Sequence, residues 1–200
     1  MEYLIVGLGN PGKAYANTRH NAGFLALQTL ADKLRLSFRE FREFRGLLAK
    51  GKWGENSVSL LFPDTYMNGS GESVRAYASY YDVPFERMCV VCDDIYLPFG
   101  RIRMKAFGGS GGHNGLKSID AHLGTSDYPR LRIGVGDKTE GDLADHVLSN
   151  FLAEEREKLP SILERVSEAL ECFVSKGITE AMQFANVYPE EKTPEKKLGE

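Results

Sequence analysis

His20 in Thr18-Arg19-His20-Asn21, Asp93 in Asp93-Asp94, and three asparagines, Asn10, Asn68 and Asn114, are the side chains best placed for catalysis. A neutral imidazole takes a proton from water near pH 7. A carboxylate on its other N–H fixes the tautomer and stabilises the imidazolium that forms. Neutral amides hold a carbonyl or an oxyanion without adding charge to the resting site. Such a set suits hydrolysis of an already activated bond, such as an ester, with neither a metal nor a covalent intermediate. On residue type alone, however, a single histidine ahead of a helix is more often structural. The fold must therefore bring these residues together.

Apolar strand patterns alternate with helical ones: strands over 3–7, 57–62, 88–93, 101–105 and 131–135, and helices over 21–34, 70–81 and 113–123 before a largely helical C-terminal third. This alternation predicts a single three-layer α/β domain over residues 1–188, with a central mixed, mostly parallel sheet flanked by helices. Phe38 to Lys52 fits an extended edge strand. Pro160 marks a kink or the first turn of a helix over 160–176 that Gly177 ends. Residues 189–200, rich in Pro, Glu and Lys, predict a disordered charged tail. Asn21 has the chemistry of an N-cap for the helix that follows. In open α/β sheets, chemistry collects where strand C-termini meet the following loops. Here those loops carry Asn10, Tyr15 and His20; then Tyr66 and Asn68; then Asp93. A Gly-rich loop over 108–115, with His113 and Asn114, opens a helix and has the backbone freedom of a lid.

Three textual patterns lead nowhere. Gly7, Gly9 and Gly12 match the dinucleotide fingerprint, but Pro11-Gly12 is a turn and the helical spacing starts only at Phe24, too late to hold a pyrophosphate. Gly108-x-Ser110-x-Gly112 matches a nucleophile elbow, but Asp145-His146, the adjacent acid and histidine downstream, are sequence neighbours in a helical stretch and diverge. Cys89 and Cys92 lie three apart on a strand and point to opposite faces, so they are core residues rather than a disulfide or metal pair.

Two hundred residues with 42% hydrophobic and 26% charged suit one soluble domain, and no apolar run is long enough to span a bilayer. Without a signal-type N-terminus, the expected location is the cytoplasm. The net charge of −3 is unevenly spread. Residues 35–52 hold six basic side chains against two acidic, as do residues 101–132, which include Lys105, Arg130 and Arg132; residues 137–171 hold ten acidic against four basic. Local charge decides contact with a polyanion, although a single basic run is usually a solvated face.

Gly7-Leu-Gly-Asn-Pro-Gly12, Thr18-Arg-His-Asn21, Tyr66-Met-Asn68, Asp93 with Leu97-Pro98-x-Gly100, Gly111-Gly-His-Asn-Gly115 and Leu131-Arg-Ile-Gly134 together resemble the bacterial peptidyl-tRNA hydrolase family, in order and spacing, over about residues 1 to 187. The resemblance implies a monomeric cytoplasmic enzyme with no cofactor, metal, membrane or obligate protein partner. Its substrate would be peptidyl-tRNA, cleaved at the ester to free tRNA from stalled or aborted translation. By position, His20 matches the proton acceptor, Asp93 the acid that supports it, and Asn10 the residue that tells N-blocked from free aminoacyl groups. Tyr15, Tyr66, Asn68 and Asn114 match tRNA-contacting positions, with His113 a neighbour in the Gly-rich loop. Lys105, with Arg130 or Arg132, would hold tRNA phosphate. A relative of this fold serves as an RNA-splicing partner, but a binder has no need of a base and its acid together.

Overall fold

In Leu4-Ile5-Val6 and Met88-Cys89-Val90-Val91-Cys92 every side chain is apolar, so both faces of these strands need cover. The computed structural model, which describes residues 2–136 and 143–187, supplies it from two layers of helices. Seven strands form one sheet: β1 (Glu2–Gly7), β2 (Arg39–Phe41), β3 (Gly46–Trp53), β4 (Asn56–Pro63), β5 (Met88–Asp94), β6 (Ile102–Lys105) and β7 (Arg130–Gly134), in the order β2-β3-β4-β1-β5-β7-β6. The centre, β4-β1-β5-β7, is parallel, and both margins turn antiparallel at the β2-β3-β4 meander and the β6-β7 pair.

Helices α1 (Ala22–Leu34), α5 (Ala153–Lys176) and α6 (Ile178–Asn186) cover one face, on which Ile5, Cys89, Val91, Leu131 and Ile133 lie. Helices α2 (Ser70–Tyr80) and α3 (Asn114–Leu123) cover the other, with Leu4, Val6, Val90 and Cys92. Cys89 and Cys92 thus belong to different cores, and burial pushes both thiols far up. A short helix, α4 (Leu143–Leu148), stands outside these layers.

Some boundaries differ from expectation. Phe38–Lys52 is a hairpin rather than one strand, because Arg42–Phe44 forms a 3-10 turn closed by Arg45 in a left-handed conformation (φ 47°). The helix expected from Pro160 starts at Ala153; the proline lies within it on the exposed side, so its ring faces solvent rather than the core. Gly177 ends it as expected. The predicted tail, and Asp137 in the acidic run, lie outside the described residues.

Candidate active site

Strands β1, β4 and β5 run parallel and end at Gly7, Pro63 and Asp94, so the loops that follow gather at one end of the sheet. His20 sits there in a 3-10 turn, Arg19–Asn21, that runs straight into α1. Helix α1 lies tight against the strands because Gly7 and Gly23 have no side chains. A Cβ on Gly23 would stand 2.2 Å from the Val91 carbonyl oxygen, and one on Gly7 would stand 2.5 Å from that of Gly23. This close approach brings His20 to the end of β5.

Asp93 is the hub. His20 Nδ1 lies 2.9 Å from Asp93 Oδ1 and 3.1 Å from Oδ2, and His113 Nε2 lies 3.0 Å from Oδ1. Burial opposes charge on the Asp93 carboxyl, but the positive edge and hydrogen bond of His113, then those of His20, outweigh it. The carboxyl is held well below the usual carboxylate range.

The protons can be assigned from donor and acceptor balance. His113 caps α3: its Nδ1 accepts from the backbone N–H of Gly115 at 3.1 Å and of Leu116 at 3.3 Å. An accepting ring nitrogen carries no proton, so the His113 proton is on Nε2, donated to Asp93. An ionised Asp93 only accepts, so His20 donates from Nδ1 and keeps its lone pair on Nε2. His20, His113 and Asp93 also lie close enough to be considered as a metal triad. A metal needs the His113 Nε2 lone pair, and the cap at Nδ1 removes it. The set therefore fits proton transfer rather than metal binding.

Asn10 is buried and its amide orientation is fixed. Its Oδ1 accepts from the Met67 backbone N–H at 2.8 Å, which leaves the Nδ2 donors for the cleft. Asn21 does not cap α1 with its side chain. Instead its Oδ1 accepts from Asn10 N–H at 2.9 Å while its Nδ2 donates to the Asn10 carbonyl at 3.0 Å, pinning the loop that presents Asn10. The start of α1 is satisfied without it, by Ala22 N–H to the Arg19 carbonyl and Phe24 N–H to the Leu8 carbonyl.

These residues line a cavity of about 490 Å³ that also holds Tyr66, Met67, Asn68, Asp94, Tyr96, Asn114, Arg132 and Leu148. Tyr66, Asn68 and Asn114 are exposed, and Tyr15 packs edge-on against Tyr66 at 6.5 Å, at the rim. Lys105 is exposed but outside the cleft. It pairs in register with Arg130, at the level of Val90, roughly 10 Å down the strand from Asp93.

Arg130 is placed otherwise than a phosphate ligand requires. It is 1% exposed, stacked 4.3 Å from the Tyr128 ring, and donates to the carbonyls of Gly108, Gly109, Ser126 and Tyr128. Arg132 is also committed, to Asp94 at 3.2 Å and to the carbonyls of Gly109 and Ser110 at 3.1 and 2.9 Å. Both arginines clamp the Gly-rich loop. The resemblance implied phosphate contact for Arg130 or Arg132, and nothing in composition shows that a glycine-rich loop needs donors for its carbonyls. It also passed over Met67, whose place between Tyr66 and Asn68 was the available signal, and Tyr96, an exposed aromatic just past the acid.

The family model for peptidyl-tRNA hydrolase matches residues 4–196. The peptidyl-tRNA hydrolase of Gloeobacter violaceus is 47% identical over 184 residues, covering 92% of this chain and 93% of that one. That of Desulfitobacterium hafniense is also 47% identical over 184 residues, covering 92% and 98%. The solved structure of the Acinetobacter baumannii peptidyl-tRNA hydrolase superposes with a TM-score of 0.88 at 37% identity, over 93% of this chain and 95% of that one.

Proposed function

The chain belongs to the peptidyl-tRNA hydrolase family, and from that premise we propose that it cleaves the ester between a peptide, or an N-blocked aminoacyl group, and the 3′ end of tRNA, with His20 as general base. The observation that carries this reading is the pair of opposite tautomers on Asp93. His113 spends its proton holding the carboxylate, and the carboxylate holds His20 with the Nε2 lone pair free.

In the reaction, His20 Nε2 takes a proton from water as the oxygen attacks the ester carbonyl carbon, and Asp93 stabilises the imidazolium that results. The acyl–oxygen bond breaks, and the imidazolium returns its proton to the departing 3′ or 2′ hydroxyl of the tRNA. The Nδ2 donors of Asn10 suit the carbonyl that an N-blocking group or peptide bond adds next to the ester. A free amino group, charged and without that acceptor, leaves these buried donors unmatched. Asn68 and Asn114, at the mouth, and Tyr15 and Tyr66, at the rim, are assigned to the tRNA end, where exposed aromatic faces stack on bases. Exposed Lys105 suits a backbone phosphate farther along the acceptor arm. The relatives' name points to the same substrate.

Hydrolysis of N-acetylaminoacyl-tRNA in ¹⁸O-enriched water tests this directly. One ¹⁸O is expected in the released carboxylate and none in the tRNA, with unblocked aminoacyl-tRNA left intact. Salt-sensitive tRNA binding without cleavage would favour the RNA-partner reading instead.

A further inference from the structure

Arg19, the residue before His20, has a buried guanidinium that the reaction does not use. Its Nη1 donates to Ser149 Oγ and to the Asn150 carbonyl, both at 2.6 Å, and its Nη2 pairs with Glu155 Oε2 at 2.6 Å. Its backbone N–H reaches the Ser149 carbonyl at 3.1 Å, Thr18 bridges to Asn150, and the buried Phe151 ring lies 5.6 Å from the guanidinium. All of these partners lie in the connection from α4 to the first turn of α5.

Helix α4 has six residues, too few to hold a conformation unaided, and it places Val147 and Leu148 in the cleft lining beside Ile95 and Tyr96. Leu148 stays 43% exposed, an apolar surface without a partner among the described residues. Ile95, Val147 and Leu148 offer no donor to a phosphate, and with the ring of Tyr96 they suit the side chain of an acyl group whose ester lies at His20.

Resting on the ester-hydrolase reading, we propose that Arg19 is a positioning residue. It seats α4 against the His20 turn so that Val147 and Leu148 form the surface that receives the side chain of the amino acid esterified to tRNA. A planar fork is needed because three acceptors in different directions must be met from one buried cation, which a lysine ammonium on a flexible stem meets poorly.

Steady-state kinetics on N-acetylphenylalanyl-tRNA and N-acetylglycyl-tRNA test this with wild type, Arg19→Lys and Ser149→Ala. Arg19→Lys is expected to raise the KM for the phenylalanyl substrate about tenfold. The glycyl KM and both kcat values should stay within about twofold, the size of a contact that the smaller substrate never makes. Ser149→Ala, a change at an exposed residue, should act in the same direction by about two- to threefold. An equal rise in KM for both substrates, or a fall in kcat alone, would overturn the proposal. Should Arg19→Lys not fold, Ser149→Ala decides the matter by the same comparison. A wild type that cleaves neither substrate would instead remove the hydrolase reading on which the proposal stands.

Discussion

One carboxylate, bound by two histidines in opposite tautomers, determines what the site can do. Replacing Asp93 by Asn keeps the shape but lets an amide N–H face His20 Nδ1, which favours the tautomer with the proton on Nε2. Loss of the lone pair at the reacting nitrogen should lower kcat by roughly 10²- to 10⁴-fold, with little change in KM. The same substitution has a pH signature. The folded Asp93 carboxyl lies below its unfolded value of about 3.9. Its contribution to stability is therefore fully present above that value and is lost as pH falls through it toward the folded value. Denaturant midpoints of wild type and Asp93→Asn should differ at about pH 5 and converge as the pH falls below about 4. A gap that widens as the pH falls from about 5 to about 3 would mean that burial, not the histidines, governs the carboxyl.

At the level of elements, the site depends on a helix and a loop being held unusually close to the sheet. Gly23→Ala would drive a methyl group into the Val91 carbonyl and lift α1 from β1 and β5. Overpacking of this kind costs about 1–3 kcal/mol, read as a lower denaturation midpoint. Because the turn carrying His20 runs straight into α1, activity should fall by more than the unfolded fraction explains; an unchanged midpoint would mean that the layers can part freely. Of the fingerprint-like glycines, Gly7 lies where α1 meets β1, and its partner is Gly23. The central strands were legible because β1 and β5 are continuous apolar runs covered on both faces. The start of α5 was not, since Pro160 is a strong local signal that exposure makes harmless. The edge strand β6 was found from its alternation. Its protection was not, because Asn186 of α6 meets the Met104 N–H and carbonyl at 2.8 and 3.0 Å from 82 residues away.

Across the molecule, charge was a weaker guide than chemistry. Half of the basic run at 35–52 is engaged: Arg42 pairs with Glu40, Arg45 pairs with Glu72, and Lys50 sits 3.7 Å from the Tyr81 ring centroid. The run at 101–132 divides into exposed Arg101, Arg103, Lys105 and Lys117 and the buried loop clamps Arg130 and Arg132. That His20, Asp93 and Asn10 would share one cleft was legible because loops after parallel strands gather at one end of the sheet. The second histidine on Asp93 was legible only as a neighbour, since its tautomer depends on a helix start 20 residues downstream of the acid. Among the described residues no helix is long and apolar enough to cross a membrane. The measurement that bears most directly on the site is release of peptide from N-acetylaminoacyl-tRNA by wild type and by a folded His20→Ala variant. Removing the base should cut the rate by about 10²- to 10⁴-fold while substrate still binds. A variant that cleaves at the wild-type rate would show that another group takes the proton.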